Sequence, residues 1–259
     1  MDVAPAPGAV IDRLRAAGCV FAEEEAELLL AATSSSAELE ELVRRRVGGE
    51  PVEQLVGWVA FDGLRIALEP GVFVPRRRTE LLAAEAAALL GPGSIVVDLC
   101  CGSGAVGAAL LAREPDLLLH AADLDPAAVR CARRNLPGVP VHEGDLFGAL
   151  PPDLRGRVDV LVANVPYVPT AAVALMPPEA RDHEARMALD GGDDGLAVAR
   201  RVVSGARGWL TAGGSVLFEA GETQVTGAVE LVAGAGLRPR VVTDDERGGT
   251  VVVGRLGPS

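Results

Sequence analysis

Residues Ile95–Leu111 read IVVDLCCGSGAVGAALL. An apolar run ends in Asp98, a tight turn holds Gly102 and Gly104, and a string of small residues follows that suits a helix. Glycines at a strand–helix turn let the backbone approach a ligand closely. Gly102, Gly104 and Gly107 formally fit the G-x-G-x-x-G spacing of dinucleotide sites, but Asp98 beside the turn would repel a pyrophosphate. A cationic ligand is helped there instead. The sulfonium and ammonium of S-adenosylmethionine meet that requirement.

The same strand–helix alternation continues from Ser94 to the end of the chain. Strand-like runs stand at 94–99, 117–123, 139–144, 158–164, 214–221, 237–244 and 250–255. Helical stretches separate most of them, which predicts an α/β domain with a mainly parallel sheet and helices on both faces. The last two runs lack a helix between them and are expected to pair antiparallel at one edge.

Upstream the pattern changes. Residues 1–49 read as three short helices. Val10, Ile11, Leu14 and Ala17 share one helical face, acidic residues open the second helix, and Ser36 is read as the cap of the third. Residues 50–75 hold WVAFDGLRIAL, two short apolar runs around Asp62-Gly63, which predicts a β-hairpin linker. Residues 76–259 form the third segment. The helical head is read as a substrate-recognition unit, and Arg44–Arg46 at its end as a solvated helix terminus.

The chain has 259 residues, 49% of them hydrophobic but only 3% aromatic, so its core rests on Ala, Val and Leu. Its formal net charge is −12, and all 24 basic residues are Arg. Long nucleic acid is disfavoured as a partner, because phosphate binding needs local positive surface. The four cysteines match no metal spacing and suggest a reducing compartment, so a cytoplasmic protein is expected. The start, MDVAPAPGAV, lacks the basic and apolar regions of a signal peptide, and no apolar run reaches the roughly 18 residues of a membrane helix.

Acidic residues recur where strands end. Asp123 lies about 20 residues beyond the glycines, where a carboxylate accepts both ribose hydroxyls. Asp125 and Pro126 read as a helix cap and first turn. Asp145 ends the third run; it can accept from an adenine amino group while Leu146 packs on the ring. The fourth run ends in Asn164-Val165-Pro166-Tyr167. Asn164 offers a carboxamide, Val165 a backbone carbonyl, and Tyr167 a ring face. Pro166 and β-branching hold Val165 extended. A carboxamide or aromatic amine is a poor nucleophile, because its lone pair is delocalised. Two carbonyl oxygens accepting its two N–H groups orient it and favour the positive charge that develops on methyl transfer.

These segments together resemble the HemK/PrmC family of protein-(glutamine-N5) methyltransferases over nearly the whole chain. NVPY is similar to that family's N-P-P-Y, DLCCGSGAVG to its D-x-G-T-G-S/T-G loop, and PRRRTE to its P-R-P-x-T-E segment. ALDGGDDGL and FEAGETQ resemble its A-L-x-G-G-x-D-G-L and E-x-G-x-x-Q. The resemblance implies a Rossmann-like, seven-stranded class I S-adenosylmethionine-dependent methyltransferase domain behind a small N-terminal helical domain and a linking β-hairpin. It implies methylation of the glutamine in a Gly-Gly-Gln loop of a peptide-chain release factor, yielding S-adenosylhomocysteine, with nucleic acid met only through a ribosome-associated substrate and no membrane. Motifs and resemblance place the cofactor at Asp98, Cys100, Gly102, Gly104, Asp123, Leu124, Asp145, Leu146 and Asn164. They place catalysis at Asn164, Val165, Pro166 and Tyr167, and the acceptor at Arg76, Thr79, Glu80, Asn164, Tyr167 and His183. No metal is called for.

The departures are Cys100 for the first loop glycine, tolerable where its φ is not positive; Val165 for proline; Arg76–Arg78 for R-P-x; and His183–Arg186 for F/Y-E-P-R. Two other readings stand beside the amide methyltransferase. One is adenine-N6 methylation of nucleic acid, whose flipped base would fit the same clamp. The other is a degenerate cofactor-binding interaction protein.

Overall fold

Each strand-like run from Ser94 onward is a β-strand in the computed structural model, which describes residues 6–258. The first five residues of the stretch read for a leader lie outside the described residues. A small antiparallel pair, β1 (Trp58–Phe61) and β2 (Leu64–Ala67), precedes the sheet. The sheet holds β3 (Ile95–Leu99), β4 (Leu118–Asp123), β5 (Val141–Glu143), β6 (Val158–Ala163), β7 (Leu210–Glu219), β8 (Arg238–Asp244) and β9 (Gly249–Arg255) in the order β5-β4-β3-β6-β7-β9-β8. The first five of these strands run parallel, and β9 lies antiparallel to both β7 and β8, as the missing helix between the last two runs predicts.

The chain goes outward from β3 to β5 and then returns to set β6 on the other side of β3. That reversal makes a switch point between β3 and β6, where open α/β sheets bind ligands beyond their strand ends. Leu99 is in register with Ala163, so Cys100 and Asn164 leave the sheet side by side.

Among the described residues the head is built of α1 (Pro7–Ala16), α2 (Ala22–Ala32), α3 (Ser36–Val47) and α4 (Val52–Val56). They share a core of Val10, Leu14, Leu29, Leu39, Val43 and Val52. Then α5 (Glu80–Ala87), α6 (Ala105–Arg113) and α7 (Pro126–Asn135) cover one sheet face, over Val96, Val160 and Val162. After β6 come two short helices, α8 (Thr170–Val173) and α9 (Pro178–His183). The opposite face, with Val97, Leu161 and Phe218, is covered by α10 (Ala197–Ala206) and α11 (Val225–Gly234). The strands β3, β6 and β9 are near-continuous apolar runs because both of their faces are buried, whereas the edge strand β8 is largely polar and exposed.

Several expectations are corrected. Ser35, not Ser36, caps α3: its hydroxyl accepts from the Glu38 N–H at 3.2 Å. The stretch read as hairpin linker also contains α4, a five-residue helix too short to show periodicity, ended by Gly57 at φ 78°. Arg46 is not solvated. It is 5% exposed and donates to Glu25 at 2.6 Å and to Glu179 of α9 at 2.5 Å. Asp62 and Gly63 both take positive φ, 52° and 76°, as a two-residue hairpin turn requires.

Candidate active site

A cleft opens at the switch point, walled by the ends of β3, β4, β5 and β6. Asp98, Cys100, Gly102, Asp123, Leu124, Asp145, Leu146, Asn164, Val165, Pro166, Tyr167, Arg76 and Thr79 all line it. Three expected residues do not. Gly104 is occupied by packing, since a Cβ there would lie 2.9 Å from Leu136 Cδ1. Glu80 accepts from the Asp62 N–H and tethers the hairpin turn. His183 ends α9 at the junction with the N-terminal helices, where its carbonyl accepts from Gln54.

The acidic end is built on the glycine turn. Asp98 is 1% exposed and accepts from the Gly107 N–H at 3.1 Å. Burial pushes its carboxyl up to about 7; the Gly107 hydrogen bond opposes the rise and Asp123 adds to it. Asp123 accepts from Gly102 N–H at 2.8 Å and from Asp125 N–H at 2.9 Å, and burial raises its pKa too. Those two bonds fix the carboxylate while leaving lone pairs for further donors. Asp145 pairs with Arg201 at 2.6 Å. Cys100 has φ 55°, so the condition on its backbone is not met, and the residue is strained where glycine is at ease. Asp125 caps α7, accepting from Ala127 N–H at 2.8 Å.

The other end is built on the NVPY turn. Asn164 is half-buried, and among the described residues neither its carboxamide nor the Val165 carbonyl has a hydrogen-bond partner. Tyr167 is fixed at both ends by the FEAGETQ segment. Its hydroxyl donates to Glu219 Oε1 at 2.6 Å, and its carbonyl accepts from Gln224 Nε2 at 2.7 Å. Gly195, of the ALDGGDDGL segment, sits against this backbone so closely that a Cβ would lie 2.3 Å from the Tyr167 oxygen. Glu219 is 2% exposed and also accepts from Arg78 Nε at 2.8 Å and Thr79 Oγ1 at 2.7 Å. Arg76 donates to buried Glu184 at 2.5 Å. The acids that meet these arginines are therefore internal.

The methyltransferase small domain family matches residues 63–201. A release factor glutamine methyltransferase of Cereibacter sphaeroides is 34% identical over 99% of both chains. The chain belongs to the HemK/PrmC family of S-adenosylmethionine-dependent methyltransferases. Another such relative, from Streptomyces coelicolor and also titled release factor glutamine methyltransferase, is 40% identical over 71% of this chain and 67% of its own. The methyltransferase of Pyrococcus furiosus shares the fold, with a TM-score of 0.58 at 17% identity over 75% of this chain and 90% of that one.

The residues of this HemK/PrmC enzyme fit the family's cofactor. The Ser103 hydroxyl, in the cleft wall, is buried and has no hydrogen-bond partner among the described residues. Gly102 takes φ 55°, and a Cβ there would meet only open space. Asp98, Asp123 and Asp145 stand at or just past the ends of the adjoining strands β3, β4 and β5.

Sequence reasoning passed over several residues. Ser103 was hidden among the glycines. Gln224 stood in plain view in FEAGETQ. Asn135 holds the hairpin to the glycine turn, donating to the Ala67 and Ser103 carbonyls at 2.8 Å each, and nothing local in the sequence marks it.

Proposed function

We infer that this methyltransferase modifies the side-chain amide nitrogen of a glutamine in a peptide-chain release factor. One observation carries the reading: two carbonyl oxygens, of Asn164 and Val165, lie unpartnered among the described residues beside a fixed tyrosine at the switch point, in a chain whose Cereibacter sphaeroides relative, matched over 99% of both chains, is titled release factor glutamine methyltransferase. S-adenosylmethionine supplies an electrophilic methyl group on a positively charged sulfur.

The protein's own part is orientation and charge. Asn164 and Val165 accept the two N–H groups of the acceptor amide and favour positive charge on its nitrogen. Tyr167 walls the plane of the amide. Asp123 takes ribose hydroxyls, and Asp98 faces the cationic end. Asp145 and Leu146 border the adenine. The proton shed by the nitrogen passes to water. The N-terminal helices (1–49) serve acceptor recognition, the 50–75 segment links, and the remainder transfers the methyl. Among the described residues no helix is long and apolar enough to cross a membrane, and a cytoplasmic setting suits a release-factor acceptor.

The test is transfer of label from S-adenosylmethionine to purified release factor or to DNA, followed by mass spectrometry of the labelled residue. Methylglutamine in the release factor is expected. Label in DNA alone would favour the adenine reading. Cofactor binding without transfer to any acceptor would favour the interaction protein.

A further inference from the structure

Arg78 belongs to the PRRRTE stretch, at the variable position of the family's P-R-P-x-T-E segment, and the reaction as described assigns it no contact with a ligand. It lines the cleft beside Tyr167, its guanidinium carbon 5.7 Å from the ring centroid. Its Nε donates to Glu219 Oε1 at 2.8 Å, the same oxygen that accepts the Tyr167 hydroxyl at 2.6 Å. Among the described residues neither of its Nη groups makes a hydrogen bond, and its side chain is 44% exposed. A guanidinium carries five N–H donors in a rigid fork, so with Nε on Glu219 and the Tyr167 hydroxyl close by, donors are still left for the cleft.

The chemistry of what fills that fork follows from the charges already present. Arg78 faces Glu219 and Arg76 faces Glu184, each at ion-pair distance inside the protein. Both guanidinium charges are thus met internally, which favours a neutral oxygen over a second carboxylate. A glutamine set among glycines presents bare main-chain carbonyls close to its side chain. We propose that Arg78 is a specificity-determining residue whose Nη groups receive a main-chain carbonyl of the acceptor loop beside the methylated glutamine. Because one Glu219 oxygen holds both Arg78 and Tyr167, the guanidinium and the ring that walls the amide are fixed relative to each other. The proposal rests on the glutamine reading above.

The experiment is steady-state methylation of intact release factor by the full chain as wild type, Arg78→Lys and Arg78→Ala, with S-adenosylhomocysteine affinity measured by calorimetry. Loss of a charge-assisted hydrogen bond raises KM for the release factor about tenfold or more in both variants. In Arg78→Lys, which keeps a cation beside Glu219, kcat falls by less than KM rises, and cofactor affinity stays within about twofold. A fall in kcat at unchanged KM would assign Arg78 to support of Tyr167 alone. A loss of cofactor affinity would assign it to the cofactor. Either result overturns the proposal, as does an unchanged KM. If the wild type itself transfers nothing to release factor, the glutamine reading falls and takes this proposal with it.

Discussion

The Tyr167 hydroxyl donates to the Glu219 carboxylate at 2.6 Å, so the ring of the NVPY turn is held by the end of β7, 52 residues away in sequence. Burial raises the phenol pKa, the Glu219 charge raises it further, and Arg78 opposes the rise. Tyr167 is the chain's only tyrosine, so its ionisation can be followed by ultraviolet absorbance without interference. Glu219→Gln removes the neighbouring charge and lets the phenol ionise at lower pH than in the wild type. It also loosens the ring, and kcat falls about tenfold, the effect of one buried hydrogen bond. An unchanged titration would separate Glu219 from Tyr167.

Asp98 is expected to make both cofactor binding and stability depend on pH. Its carboxyl, pushed up to about 7 by burial, is protonated below that pH and cannot then attract a cation. Affinity for S-adenosylmethionine therefore rises with pH and levels off above 7, and calorimetry on Asp98→Asn shows weaker binding with a flatter profile. Stability follows the opposite course. The folded state keeps this proton up to about 7 whereas an unperturbed aspartate releases it near 3.8, so the contribution is full below 3.8 and lost as pH rises through 7. The empty Asp98→Asn protein is accordingly more stable than wild type at pH 8, by on the order of a few kcal/mol. Denaturant unfolding at pH 5 and pH 8 checks the sign.

Asn164→Ala separates binding from chemistry. The side chain has no partner of its own among the described residues, so its loss leaves the fold intact. Cofactor affinity is kept, and kcat falls by about 10²–10³, as on removal of one preorganised polar group that meets developing charge. Full activity in Asn164→Ala would refute the amide clamp.

The sheet was legible because its signals are local. Apolar runs end in an acid, glycines follow Asp98, and helices intervene. The NVPY end of the cleft was legible only in part, because its bonds join residues far apart in sequence. Glu219 meets Tyr167, Glu184 meets Arg76 across 108 positions, and Glu179 meets Arg46 across 133. A run of arginines looks solvated when its carboxylates lie in other segments. The strain at Cys100 was equally hidden, since φ is set by the turn that Gly102 and Asp123 close.

Cys100 offers a test of that strain. Its φ of 55° costs a non-glycine residue roughly 1–2 kcal/mol. Cys100→Gly and Cys100→Ala both remove the sulfur and its contacts in the apolar cluster, but only glycine relieves the backbone. Cys100→Gly is expected to be the more stable of the two by about 1 kcal/mol in denaturant unfolding. Equal stabilities would show that the turn holds alanine without strain.

Arg46 ties the helical head to the segment that carries α9. It stands 5% exposed in the last turn of α3, with Glu25 of α2 on one side and Glu179 of α9 on the other, and its Nη1 donates to the Glu50 carbonyl at 3.2 Å. Removing the central cation strands Glu25, whose side chain is 11% exposed, whereas removing Glu179, 46% exposed, leaves the Glu25 pair whole. Arg46→Ala is therefore expected to lose about 3–5 kcal/mol, and Glu179→Ala about 1 kcal/mol or less. The two differ in function as well. Beyond α9 the chain runs on to Ala185, Met187 and Leu189 in the cleft wall, so Glu179→Ala loosens the tie between that wall and the head, leaving Gln54 on the His183 carbonyl, without unfolding it. Its KM for the protein acceptor rises while its cofactor affinity holds. Equal stability losses in the two variants would mean that Glu25 needs no partner, and an unchanged KM in Glu179→Ala would mean that the head does not position the wall.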